Sequence, residues 1–154
     1  MISISVIGVR ILAMRYELLP LKQSFPELDM QSGGPLVKVY LPDNLTEMGR
    51  DDERHPCLIV CPGGAYEFCS QREAEPIAFH FLPEGFNVFV LLYSVVPHHY
   101  PAQQCEVAAL IELINQNADI WHCDTEQIVL MGFQQEDILP RSTRRHMIPA
   151  RFVQ

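Results

Sequence analysis

The chain has 154 residues, 48% of them hydrophobic and 19% charged, with a formal net charge of −8. That is material for one domain with a sizeable core and argues against a disordered chain. The acidic balance argues against nucleic acid and anionic membrane as partners. The charge is unevenly placed: residues 1–133 hold 7 Lys+Arg against 17 Asp+Glu, whereas residues 134–154 hold 4 against 2. Five cysteines, at 57, 61, 69, 105 and 123, are odd in number and scattered, which fits a reducing compartment better than a disulfide framework. No apolar run reaches spanning length, and "MISISVIGV" has no basic region before it, so a cytoplasmic location is expected. Met14 could equally be the start, making 1–13 an N-terminal extension.

In chain order, "LVKVYLP" (36–42) alternates with period two and ends at a proline, as an edge or half-buried strand does. "GRDDERHP" (49–56) is a charged surface turn. "CLIVCPGG" (57–64) is a continuous apolar run broken by Pro-Gly-Gly, the pattern of a central strand buried on both faces. "REAEPIAFHFLPEG" (72–85) reads as a helix in which Ile77, Phe81 and Leu82 share a face and Gly85 closes the end. Glu73 and Glu75 stand near its start, where the helix dipole favours acids.

"NVFVLLYSV" (87–95) is a second apolar strand. "PAQQCEVAALIELINQNA" (101–118) is a helix with Val107, Leu110, Ile111 and Ile114 on one stripe. Trp121 is expected to pack under the loop leading to the third apolar strand, "QIVLMG" (127–132). Apolar strands alternating with helices predict an α/β domain, a parallel sheet covered on both faces in three αβα layers.

"CPGGAYEFCSQREAEPIA", "VFVLLYSV" and "PAQQCEVAALIELINQNADIWHCDTEQIVLMGF", in this order and spacing, resemble the α/β-hydrolase esterases of the acetyl-esterase or xylan-esterase kind. These are similar to hormone-sensitive-lipase-like carboxylesterases. The resemblance covers residues 14–133 and implies a partial α/β-hydrolase domain, its N-terminal half only. It also implies serine ester hydrolysis of short acyl groups, with carbohydrate esters among the candidate substrates, without a cofactor or metal. Pro62-Gly63-Gly64-Ala65 stands where such enzymes carry the glycine-rich loop whose amides form an oxyanion hole. Gly63, Gly64 and Ala65 are therefore the candidate oxyanion donors. Tyr66, Ser70, Arg72 and Glu73 match positions that line or brace the substrate pocket. A helix-entry cap with solvated charges accounts for these four equally well.

The same enzymes place their serine on a strained G-x-S-x-G turn between strand and helix. Gly132-Phe133 supplies the first two positions, but Gln134 occupies the third and Glu136 the fifth. Gln134 has no nucleophilic oxygen, and the acid and base have no room in the 20 residues that follow. Residues 134–154 read as an out-of-frame tail. Gln134–Arg141 can be encoded as CAG CAG GAG GAC ATC TTG CCG CGN. With a T restored in front, the same bases translate as Ser-Ala-Gly-Gly-His-Leu-Ala-Ala, completing GFSAGGHLAA after Gly132-Phe133.

Other chemistries find less support. His98-His99 with His122 and Cys123 match no zinc-ligand spacing. Cys57 and Cys61 read as small core residues, and neither Cys61 nor Cys69 has a histidine clearly placed to activate it as a nucleophile. Two functions stay open: a serine carboxylesterase present in this chain by ancestry, and a non-catalytic pseudoenzyme or binding module. A small-molecule ester is the expected partner of complete relatives. Residues 127–132, lacking a covering strand and helix, are expected to leave Val129 and Met131 open to self-association.

Overall fold

The computed structural model describes residues 14–26, 28, 34–98 and 100–133. The expected extension over 1–13, the tail over 134–154 with Gln134 in it, and His99 lie outside the described residues. Among the described residues five strands form one sheet: β1 Met14–Pro20, β2 Leu36–Pro42, β3 His55–Cys61, β4 Asn87–Leu92 and β5 Cys123–Gly132. Their order is β1-β2-β4-β3-β5. The helices are a single turn α1 (Leu21–Ser24), α2 (Glu75–Phe81) and α3 (Ala102–Gln116).

The three apolar strands expected to run together do so. β3 pairs in parallel with β4 on one side and β5 on the other. β3 is buried on both faces for the reason its composition suggests. Cys57, Ile59 and Cys61 enter a cluster with Leu110 and Ile114 of α3 and Leu21 of α1. Leu58 and Val60 enter a second cluster with Ala74 and Ala78, against which Ile77 and Phe81 of α2 pack. Helices thus cover both faces, giving three layers.

The N-terminal strands correct the expectation of a wholly parallel sheet. β2 is antiparallel to both β1 and β4, and β2 is an interior strand with Val37 and Val39 fully buried. Among the described residues the edge is β1, where charged and apolar residues alternate from Met14 to Leu18. Side-chain periodicity reports which face a residue occupies but not the direction of its strand.

Three boundaries also differ. β4 ends at Leu92, because Tyr93–Val95 leaves the sheet. The expected helix over 72–85 divides into a 3₁₀ turn Gln71–Glu73, then α2, then a 3₁₀ turn Leu82–Glu84. Pro83 cannot continue an α-helix, since its ring would collide with the carbonyl four residues earlier, and the last turn tightens instead. Gly85 closes this segment at φ +88, a conformation open to a residue without a Cβ. β5 begins four residues earlier than expected, but its register against β3 jumps from Asp124 to Ile128, so Thr125–Gln127 bulges out. Val129 and Met131 are half-buried against the α2-side cluster rather than open. Trp121 packs in the core on Phe89, with ring centroids 5.6 Å apart.

Candidate active site

The C-terminal ends of β3, β4 and β5 deliver three segments to one edge of the sheet: Pro62–Ser70, Tyr93–His98 and Phe133. The first is a tight loop built around two glycines. The Gly63 amide donates to a Glu73 carboxylate oxygen at 2.9 Å, and the Gly63 carbonyl accepts from the Ser70 amide at 2.8 Å. A Cβ on Gly63 would stand 2.6 Å from Glu73 Oε2 and 2.9 Å from the Phe133 carbonyl oxygen. At Gly64 (φ +145) a Cβ would meet the Phe68 carbonyl oxygen at 1.9 Å. No side chain fits at either position. Ala65 and Tyr66 then hold left-handed φ values of 53 and 62, each a strained backbone state that costs about 1–3 kcal/mol unless its surroundings impose it.

The surroundings impose it through the β4 loop. The Tyr93 hydroxyl donates to the Pro62 carbonyl at 2.7 Å, and the Val96 amide donates to the Tyr66 carbonyl at 2.8 Å. The Tyr66 and Tyr93 rings meet edge to face at 6.3 Å. Burial pushes the Tyr93 phenol well above its ordinary range, which keeps it a neutral donor.

The β4 loop is in turn held by α3. The Glu106 carboxylate, fully buried, accepts the Ser94 amide at 2.9 Å, and Gln103 Nε2 donates to the Ser94 carbonyl at 2.8 Å. Burial raises the Glu106 carboxyl above its ordinary value, opposed by its bonds to Ser94. Its second oxygen has no hydrogen-bond partner among the described residues. Neither residue was singled out from sequence. The signal was there, because 103, 106, 107, 110 and 114 share one helical stripe and two of the five are polar.

The candidate residues thus come together in part. Gly63, Gly64, Ala65, Tyr66, Ser70 and Glu73 form one structure around the loop. The Gly63 amide is committed to Glu73 and is not free to act as an oxyanion donor, a correction to the expected trio. Among the described residues, the Gly64 and Ala65 amides donate to no protein acceptor. Ser70 is buried and serves the loop through its backbone. Arg72 is exposed on the 3₁₀ turn. The Phe133 amide donates to the Cys61 carbonyl at 3.3 Å, and the Phe133 carbonyl lies beside Gly63.

The remaining candidates separate. His98 follows the C-terminal end of β4, whereas His122 and Cys123 stand at the N-terminal start of β5, the opposite end of the sheet. Burial pushes the Cys61 thiol up to about 12 and the Cys69 thiol up to about 11, far from the thiolate a nucleophile needs. A cavity of about 330 Å³ bordered by Asn44, Asp51 and Trp121 also lies at the opposite end, away from these loops.

A family profile described as BD-FAE matches residues 38–135. An endo-1,4-beta-xylanase B from Butyrivibrio fibrisolvens is 32% identical over 100 residues, covering 61% of this chain and 15% of that protein. Among solved structures, the α/β-hydrolase MGS-M1 from a Medee basin deep-sea metagenome superposes with a TM-score of 0.66 at 32% identity. It covers 77% of this chain and 46% of its own. An acetyl ester-xyloside bifunctional hydrolase from Caldicellulosiruptor lactoaceticus gives 0.67 at 27% identity, covering 77% and 43%. A carboxylesterase from Lactobacillus plantarum WCFS1 gives 0.63 at 25% identity, covering 78% and 41%. The chain spans less than half the length of these structures and a smaller part of the xylanase. Among the described residues no helix is long and apolar enough to cross a membrane.

Proposed function

The chain belongs to the BD-FAE family and carries part of an α/β-hydrolase esterase fold, and from that premise we propose that it holds the oxyanion half of a serine carboxylesterase site without the attacking group. The substrate class of the site is an ester with an acetyl or other short acyl group, its alcohol side a carbohydrate. The relatives named for xylanase and for acetyl ester-xyloside hydrolase activity support that choice.

The observation that carries this reading is the loop from Pro62 to Ser70. Its backbone is strained, its glycines admit no side chain, and the two amides that donate to no described residue, Gly64 and Ala65, follow the one that Glu73 occupies. An ester carbonyl oxygen lodged there would meet preorganised donors as negative charge develops on it. The nucleophile would have to come from the residue after Phe133, and that residue is Gln134. A carboxamide cannot be deprotonated at neutral pH to attack a carbonyl carbon. This chain therefore binds the ester weakly and does not hydrolyse it, since loss of a serine nucleophile lowers kcat by about a millionfold. Residues 134–154 are, on the same reading, a product of a shifted reading frame, with the serine elbow encoded one base away.

Two measurements test this. The chain is expected to show no acyl-enzyme burst with p-nitrophenyl acetate and no labelling by a fluorophosphonate probe. Stoichiometric labelling at a residue of this chain would overturn the inactive assignment. The coding DNA under Gln134–Arg141 is expected to reread as Ser-Ala-Gly-Gly-His-Leu-Ala-Ala after insertion of one T, and any other result removes the frame argument.

A further inference from the structure

The sheet has two ends, and their chemistry differs. At one end β1 carries Arg15, Glu17 and Pro20, residues that blunt an edge against pairing. At the other end is β5, and among the described residues no strand lies beyond it. From Ile128 to Gly132 it carries no ionisable group and no proline.

The direction of its backbone groups follows from one bond. The Phe133 amide points at β3, donating to the Cys61 carbonyl. In a parallel ladder alternate residues direct both N–H and C=O to the same neighbour. Phe133, Met131 and Val129 therefore face β3, while Gly132, Leu130 and Ile128 present their N–H and C=O groups outward. The bulge at Thr125–Gln127 ends this straight stretch on its N-terminal side.

We propose that this edge is an interaction surface for a second copy of the chain, joined antiparallel about a two-fold axis at Leu130. The outward pattern complements itself under that symmetry. Leu130 exchanges two hydrogen bonds with Leu130 of the other copy, and Ile128 exchanges two with Gly132. Leu130 and Ile128 belong to the α3-side cluster, so their side chains extend that apolar layer across the junction. Val129 opposes Met131 on the α2 side, where both are half-buried margins of the second cluster. Charge selects the direction. Each copy carries a net charge of −8, and a parallel in-register pair would set Asp124 on Asp124 and Glu126 on Glu126. The antiparallel pair sends these acids to opposite ends. The ladder is five residues long, so the association is weak and concentration-dependent.

The test is the mass of the full chain by light scattering across about two decades of concentration, with amide hydrogen exchange at both extremes. A rise from 17.6 kDa toward twice that mass is expected, accompanied by new protection at the Leu130 and Gly132 amides. Met131→Lys sets a charge beside Val129 of the other copy and is expected to return the chain to a monomer with its far-ultraviolet circular dichroism unchanged. Should that variant unfold, register is read by cross-linking instead. In a Cys105→Ser background, Val129→Cys with Met131→Cys is expected to give a disulfide-linked dimer with oxidised glutathione, and Val129→Cys alone is not. A monomer at every concentration, protection of Leu130 and Gly132 in the monomer (the chain covering its own edge), a dimer indifferent to folded Met131→Lys, or cross-linking by Val129→Cys alone would each overturn the proposal.

Discussion

The Glu73 carboxylate accepts the Gly63 amide at 2.9 Å across ten residues of chain, linking the helix-entry turn to the glycine loop at the C-terminal edge of the sheet. Glu73 acts as a brace, locking the first loop amide so that the following peptides turn outward. Replacing it with alanine leaves a buried N–H without its partner, at a cost of about 1–3 kcal/mol. Glu73→Ala is expected to lower the urea midpoint accordingly and to speed exchange of the Gly63 amide. An unchanged midpoint would show that water replaces the carboxylate without loss.

The glycines give a contrast between crowding and strain. At Gly64 a methyl group would overlap the Phe68 carbonyl, so Gly64→Ala is expected to cost more than 3 kcal/mol or to prevent folding. At Gly49 (φ +70) nothing lies within 4 Å, and Gly49→Ala bears only the left-handed backbone penalty of about 1 kcal/mol. Thermal melts of the two variants should differ widely. Equal losses would mean the loop around Gly64 relaxes.

Glu106 makes stability depend on pH in a direction opposite to most carboxylates. Burial raises its folded-state value above the 4.5 of a free group. Such a group contributes stability that is fully present below the unfolded value and is lost as pH rises through the folded value. The wild type should therefore lose stability from about pH 4.5 upward relative to Glu106→Gln, whose side chain carries no charge to bury. Urea unfolding from acid to neutral pH measures the difference. A constant gap between the two proteins would show that Glu106 titrates alike in the folded and unfolded chain.

The thiols should react in order of exposure. Cys105 is exposed, whereas Cys57, Cys61 and Cys123 are buried and Cys69 is half-buried. Burial raises Cys61 and Cys69 to about 12 and about 11. Iodoacetamide at pH 8 is expected to alkylate Cys105 first in the folded chain, by peptide mass mapping. Early modification of Cys69 would indicate a local opening of the Pro62–Ser70 loop.

Much of the architecture was legible. The apolar runs at 57–61 and 87–92 are strands buried on both faces, and the run at 128–132 is half-buried beside them; only a sheet covered by helices can hide such runs, so layers and central strands followed from composition alone. The Pro-Gly-Gly break likewise marked the loop, because close backbone approach demands residues without side chains. That Gln134 carries no nucleophilic oxygen is a matter of functional groups rather than geometry.

Tertiary structure decided the rest. The direction of β2 and the choice of β1 over β2 as edge depend on partners distant in sequence, which no local period encodes. That Gly63 is spent on Glu73, leaving Gly64 and Ala65, depends on a side chain folding back over ten residues. The burial of Glu106 rests on where the β4 loop lands, and the outward set of β5 amides on which neighbour Phe133 chose. The sequence specified what each segment must hide from water, a property of single residues and their spacing. Which hydrogen-bonding groups were left over was settled only when those segments met, because pairing is a property of two surfaces.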